Sequence, residues 1–131
     1  MHRWRFLAAG PRESLNSSAS ARAESVSPEA TARLLAAITQ THAAEVFRDS
    51  LPVAGRDGTL KSRLRSRAMG RVVAKTGTLT YINSLSGYVT TGDDETLAFA
   101  IICNDDTTAE SSVKVIDAIA TLLASYRESG R

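Results

Sequence analysis

One cysteine, Cys103, stands in 131 residues, so no disulfide can form within the chain. Long apolar runs are missing as well. The longest fall well short of the roughly 20 residues a membrane-spanning helix needs. The first ten residues carry basic side chains and then a short apolar patch. An export signal needs an apolar core of about 7–15 residues, so none is read there. Charge of one sign is also scarce: the formal net charge is +2, which does not indicate a general nucleic-acid binder. His2 and His42 stand alone, with no cysteine pair and no paired carboxylates at ligand spacing, so no metal site is predicted. No internal repeat is visible. What is abundant is apolar side chain, at 43%, which argues against a wholly disordered chain and allows one ordinary domain with its own core.

The elements can be read in order. Residues 1–25 show no convincing periodicity, and residues 14–25 are rich in Ser and Ala, so this part reads as a poorly ordered arm. Ser27-Pro28 is a helix start: the hydroxyl can cap free N–H groups and proline fits the first helical position. Leu34, Leu35 and Ile38 give that helix an apolar face, and it is expected to end near Thr41. A second short helix is expected over 44–49, stopped by Pro52. Asp57-Gly58 marks a turn, with Asp57 its former. Residues 61–68 read as a short basic helix closed by Gly70.

Strands follow. Val72-Val73-Ala74 is a short apolar run suited to a strand covered on both faces. It continues into Lys75-Thr76-Gly77-Thr78-Leu79. A glycine inside a strand is costly unless something must approach the backbone closely. A cation and a hydroxyl beside it could hold a carboxylate, and the edge could pair with an extended peptide. The plain alternative is a lysine at a strand end with its amine in solvent. Alternation at Leu85, Gly87 and Val89, and at Leu97, Phe99, Ile101 and Cys103, predicts two more strands joined by a hairpin turn at Gly92-Asp93-Asp94. Cys103 is placed among core residues, on the face of Phe99 and Ile101. Thr107 with Glu110 matches a capping box, opening a last helix with Val113, Ile116, Ala120 and Leu123 on one stripe. The predicted class is α/β in the α+β sense: three antiparallel strands with the terminal helix packed on the sheet.

Three stretches together, Leu51-Pro52-Val53-Ala54-Gly55-Arg56-Asp57-Gly58-Thr59-Leu60, Ala74-Lys75-Thr76-Gly77-Thr78-Leu79 and Ser84-Leu85-Ser86-Gly87-Tyr88-Val89, carry a more specific signal than the Lys-Thr-Gly triplet alone. That triplet is a motif of serine penicillin-binding proteins and β-lactamases. The combination resembles the C-terminal part of D-alanyl-D-alanine carboxypeptidases of the penicillin-binding protein 4 type, peptidase family S13, over roughly residues 26–123. The resemblance implies that residues 26–131 are the C-terminal portion of such a transpeptidase-like domain, and that further strands and a helical lobe would complete its core. It implies a serine-type carboxypeptidase or endopeptidase lineage acting on peptidoglycan stem peptides ending in D-Ala-D-Ala, outside the cytoplasm, with no cofactor. Lys75 would supply positive charge near the substrate carboxylate and the proton-transfer network. Thr76 would offer its hydroxyl to that carboxylate, Gly77 would keep the edge open, and the Thr78 N–H would form half of an oxyanion hole.

In the family a Ser-x-x-Lys and a Ser-x-Asn motif precede the Lys-Thr-Gly strand. Here Ser111-Ser112-Val113-Lys114 fits the first pattern but follows the strand. Ser14-Leu15-Asn16 fits the second, but it stands too near Val26-Ser27-Pro28 and no helix follows it. The stretch Asn16-Ser17-Ser18-Ala19-Ser20-Ala21-Arg22 lacks the glycines of the family's loop. The resulting expectation is a piece carrying the third motif without the nucleophile, whose partner would be the missing N-terminal portion of the same enzyme. The alternatives are a non-catalytic module binding a peptide or carboxylate, and a decayed coding sequence. Gly70 to Thr76 resembles a phosphate-binding loop but lacks the glycine before the lysine and the helix after it. Lys61, Arg63, Arg65, Arg67 and Arg71 read as a solvated basic face, with contact to an anionic wall polymer or nucleic acid as the alternative.

Overall fold

The computed structural model describes residues 6–9, 27–79, 82–104 and 109–128. The expected capping box at Thr107 and Glu110, the Ser14-x-Asn16 match and His2 lie outside the described residues and side chains. The order of elements is β1 (Phe6–Ala9), α1 (Pro28–Ile38), α2 (Ala44–Asp49), a single 3-10 turn (Gly58–Leu60), β2 (Val72–Leu79), β3 (Ile82–Thr90), β4 (Thr96–Asn104) and α3 (Ala109–Ser125).

The strands β2, β3 and β4 form the expected antiparallel meander. A fourth strand joins them: β1 pairs parallel with β4, Phe6 against Ala98 through Ala9 against Ile101, and the sheet order is β1-β4-β3-β2. Part of the segment expected to be a poorly ordered arm is therefore strand. A four-residue run carries too little alternation to be recognised alone; its pairing depends on a partner some 90 residues away in the chain.

Helices cover both faces of the sheet, which is why β4 is buried continuously from Leu97 to Ile101. One core joins Val72, Ala74, Leu85, Val89, Phe99 and Ile101 to Ile116, Ala120 and Ala124 of α3 and to Leu60, Leu64 and Ala68. Cys103 packs against it, as expected. The other core joins Tyr88 and Ala98 to Leu35 and Ala36 of α1 and to Leu51, with Phe47 and Val73 at its margin. Tyr88 donates its hydroxyl to the Leu35 carbonyl, meets the Phe47 ring edge-on at 6.4 Å, and lies under the Arg48 guanidinium. Burial pushes its phenol above the ordinary value of 10.0, against a smaller downward pull from Arg48.

Local chemistry explains most boundaries. The Ser27 hydroxyl accepts the Ala30 N–H at 3.0 Å, with Pro28 at the first helical position. Helix α1 stops at Ile38 rather than Thr41, because the N–H groups of Thr39, Gln40 and Thr41 bond three residues back instead of four. Its buried face is Ala32, Leu35 and Ala36; Leu34 points outward at 60% exposure. The second helix falls where expected. The basic stretch 61–68 is not a helix. Leu64 sits at φ 56°, in the left-handed region, which interrupts helical winding. The stretch runs instead as successive turns that drop Leu60, Leu64 and Ala68 into the core. The hairpin turn after β3 forms as expected, with the Thr91 N–H on the Glu95 carbonyl at 2.8 Å and Asp94 at φ 61°.

Candidate active site

The strand β2 lies at one edge of the sheet, and that edge is treated differently along its length. Its first half is covered. The Ala74 N–H donates to the Pro52 carbonyl at 3.0 Å, and the Ala54 N–H donates to the Val72 carbonyl at 2.8 Å, with Val53 bridged to Val73. The covering segment is itself held from behind. The Asp57 carboxylate accepts the Val53 N–H at 2.8 Å, and the Gly55 N–H reaches the Leu60 carbonyl at 2.9 Å. Gly58 takes φ 54°, and a Cβ there would press on the Pro52 ring at 3.0 Å. Asp57 is thus the turn former the sequence indicates.

This pairing sets the phase of the strand. Since Val72 and Ala74 present their backbone groups outward, alternation turns the N–H and C=O of Thr76 and Thr78 outward too. Among the described residues the cover ends at Ala74, so these are the next outward groups. Lys75 is exposed, and its amine donates to the Thr76 carbonyl at 2.5 Å, along the same edge. The Thr76 hydroxyl donates to the hydroxyl of Thr59 at 3.0 Å. Gly77 faces Ser84 of β3, and a Cβ at Gly77 would overlap the Ser84 hydroxyl. The structure therefore brings Lys75, Thr76, Gly77 and Thr78 together on one strand edge, with a cation, a hydroxyl and outward N–H groups within a few residues. Such an edge can pair with an extended peptide and hold a carboxylate.

Thr59 was not singled out in the sequence, although it stands inside the Asp57-Gly58-Thr59-Leu60 stretch. The signal was a hydroxyl between a turn glycine and a leucine that is fully buried. Its neighbour across space, Thr76, is 17 positions away.

Other sequence candidates fall elsewhere. Ser111 and Lys114 lie on α3, which covers the sheet face bearing Val72 and Ala74. Lys75 is in phase with Val73, which borders the opposite core with α1. The two groups thus belong to opposite faces. The basic residues are held in different ways. Arg63 forms a two-pronged ion pair with Asp117 at 2.6 and 3.1 Å, and Arg71 donates to the Thr91 carbonyl at 2.8 Å. Lys61, Arg65 and Arg67 are exposed. A shallow groove of about 750 Å³ runs between Leu64, Arg65 and Ser66 and the α3 residues Lys114, Asp117, Ala118, Thr121 and Leu122. His42 is exposed in the turn between α1 and α2. Among the described residues, no helix is long and apolar enough to cross a membrane.

Comparison with known proteins gives a consistent set of likenesses. The model of the D-Ala-D-Ala carboxypeptidase 3 (S13) family matches residues 14–126. A D-alanyl-D-alanine carboxypeptidase of Actinomadura is 44% identical over 89 residues, spanning 63% of this chain and 16% of its own length. The carboxypeptidase DacB of Mycolicibacterium smegmatis is 40% identical over 82 residues, 59% of this chain and 17% of its own length. The crystal structure of penicillin binding protein 4 from Haemophilus influenzae superposes with a TM-score of 0.65 at 24% identity, over 76% of this chain and 24% of that one. The match thus spans about a sixth of the length of the curated relatives. The structural likeness carries the fold: three antiparallel strands and a terminal helix of the penicillin-binding-protein type.

Proposed function

Because the chain belongs to the D-Ala-D-Ala carboxypeptidase 3 (S13) family, we propose that it supplies the substrate-holding edge of a serine-type D-Ala-D-Ala carboxypeptidase. The substrate would be a peptidoglycan stem peptide, and the place of action outside the cytoplasm. The observation that carries this reading is the half-open edge of β2, whose cover stops at Ala74 and leaves Thr76 and Thr78 facing outward.

In this reading an extended peptide lies along the open half. Its scissile carbonyl takes the Thr78 N–H, and its terminal carboxylate reaches the Thr76 hydroxyl. The Lys75 ammonium sits beside both and favours the negative charge that develops on the carbonyl oxygen and resides on the carboxylate. One such preorganised donor is worth about 3–4 kcal/mol of barrier lowering in comparable enzymes. Gly77, lacking a side chain, leaves the strand flat where the peptide approaches. The attacking serine, its lysine and the Ser-x-Asn loop would come from the larger part of the family's length that this chain does not span. Residues 26–131 would then be one portion of that domain. The opposite-face position of Ser111 and Lys114 supports looking for the nucleophile elsewhere.

A second reading, a binding module without turnover, is favoured by the same edge, since pairing a peptide and holding a carboxylate need no nucleophile. Intact-mass spectrometry of the folded chain after incubation with a labelled penicillin tests the assignment of roles. No adduct is expected from this chain alone. A stoichiometric adduct mapped to Ser111 would overturn it. Fusion to the relatives' upstream region, with its serine, is expected to restore the adduct if the enzyme reading holds, and to leave it absent if the chain is a module.

A further inference from the structure

The loop that covers the first half of β2 ends on a hydroxyl, and that hydroxyl stands at the boundary of the open half. Residues 52–54 pair with β2 as far as Ala74; two positions further on, Thr59 meets Thr76 through side chains only, at 3.0 Å. Outward positions of a strand recur about every 7 Å. A peptide running antiparallel to β2, with one carbonyl on the Thr78 N–H, therefore comes level with Thr76 within one to two residues. It then meets Thr59 and, behind it, the Pro52 carbonyl already bonded to Ala74. The open edge has a closed end.

We infer that Thr59 is a specificity-determining residue: with Thr76 it forms a two-hydroxyl cradle at this closed end that selects a peptide terminating there in a free carboxylate. This rests on the reading of the β2 edge as the peptide site. A carboxylate has several lone pairs and accepts from both hydroxyls and from the Lys75 ammonium at once. Without ligand, the Thr76 hydroxyl is spent on Thr59. When a carboxylate arrives, both threonines turn their hydrogens toward it. A terminal amide carries no charge and has one acceptor oxygen in place of two, so its bonds to the cradle are not charge-assisted and it gains little from the second hydroxyl.

Thr59 is placed by its neighbours rather than by its own side chain. Leu60 is fully buried, Gly58 is locked against Pro52, and Asp57 is held by Val53. Thr59 itself is exposed, so removing its hydroxyl leaves those anchors in place.

The experiment is a residue-resolved NMR titration of the 131-residue chain with diacetyl-Lys-D-Ala-D-Ala and with its C-terminal amide. The parent chain, Thr59→Val and Thr59→Ser are compared, with amide dispersion over β2 and β3 as the check on folding. The parent is expected to bind the free acid in preference to the amide, with shifts at Thr76 and Thr78. Thr59→Val should weaken the acid about tenfold and leave the amide unchanged, while Thr59→Ser keeps the preference. An unchanged acid-to-amide ratio in a folded Thr59→Val, with shifts still at Thr76 and Thr78, overturns the role of Thr59 and leaves the edge reading intact. No shift at Thr76 or Thr78 in the parent chain overturns the edge reading and this inference with it.

Discussion

The two halves of β2 are built from one continuous strand with one partner on its inner side, yet they differ in everything that matters for chemistry. Along residues 72–74 the outer edge is bonded to residues 52–54, and Val72 and Ala74 are fully buried. Along residues 75–79 no such backbone cover is present among the described residues, Lys75 and Thr78 are exposed, and Leu79 is 60% exposed. An unpaired, apolar strand edge is an aggregation hazard, and a lysine with hydroxyl residues blunts it. The Lys-Thr-Gly triplet is therefore not open merely because it lies at a sheet edge. It is open because the neighbouring loop stops where it does.

The largest expected effects come from breaking the covered half. Gly87 of β3 faces Ala74, and a Cβ there would overlap the Val73 carbonyl and come within 2.6 Å of the Ala74 Cα. Backbone cannot yield as a side chain can, so Gly87→Ala is expected to cost about 4 kcal/mol in urea unfolding. Gly77→Ala in the open half meets only the Ser84 hydroxyl, which can rotate away, and should cost about 1 kcal/mol. Equal losses would erase the distinction between the halves. Next, Leu60→Ala empties the site that anchors the covering loop and is expected to cost about 3 kcal/mol. The amides of Ala54 and Ala74 should lose protection with it.

A smaller effect is pH-dependent. The buried Tyr88 phenol keeps its proton to higher pH in the folded chain than in the unfolded chain. Its contribution is fully present below pH about 10 and is lost as pH rises through the folded value, because the unfolded chain ionises first. Tyr88→Phe should lower stability by about 1 kcal/mol at neutral pH and flatten that alkaline decline. The smallest effect on stability is expected from Thr76→Val, within about 0.5 kcal/mol by the same unfolding assay, although it removes a hydroxyl assigned to the carboxylate.

Much of this architecture was legible in local sequence. Ser27-Pro28 marks α1, Pro52 ends the pattern after α2, and alternation through Leu85 to Val89 and Leu97 to Cys103 marks β3 and β4. These signals are local, and the physics they report is local. What was not legible depends on distant partners. The strand at Phe6–Ala9 exists through β4. Ala36 rather than Leu34 is buried on α1 because Tyr88 and Ala98 lie on that side. The 61–68 segment spaces Leu60, Leu64 and Ala68 as a helix would, and only the left-handed turn at Leu64 shows otherwise. At the site, the motif residues Lys75, Thr76, Gly77 and Thr78 were readable as a stretch. The cover over Val72 to Ala74 and the Thr59–Thr76 contact were not, since both join residues 17 or more positions apart.

Residue-resolved amide hydrogen exchange along β2 separates an open edge from a covered one. In the free chain, Ala74 is expected to exchange slowly and Thr76 and Thr78 quickly, with Thr76 and Thr78 slowed when a D-Ala-D-Ala peptide with a free carboxylate is added. Thr76 and Thr78 as slow as Ala74 before addition, or unaffected by the peptide, would contradict an open, peptide-holding edge.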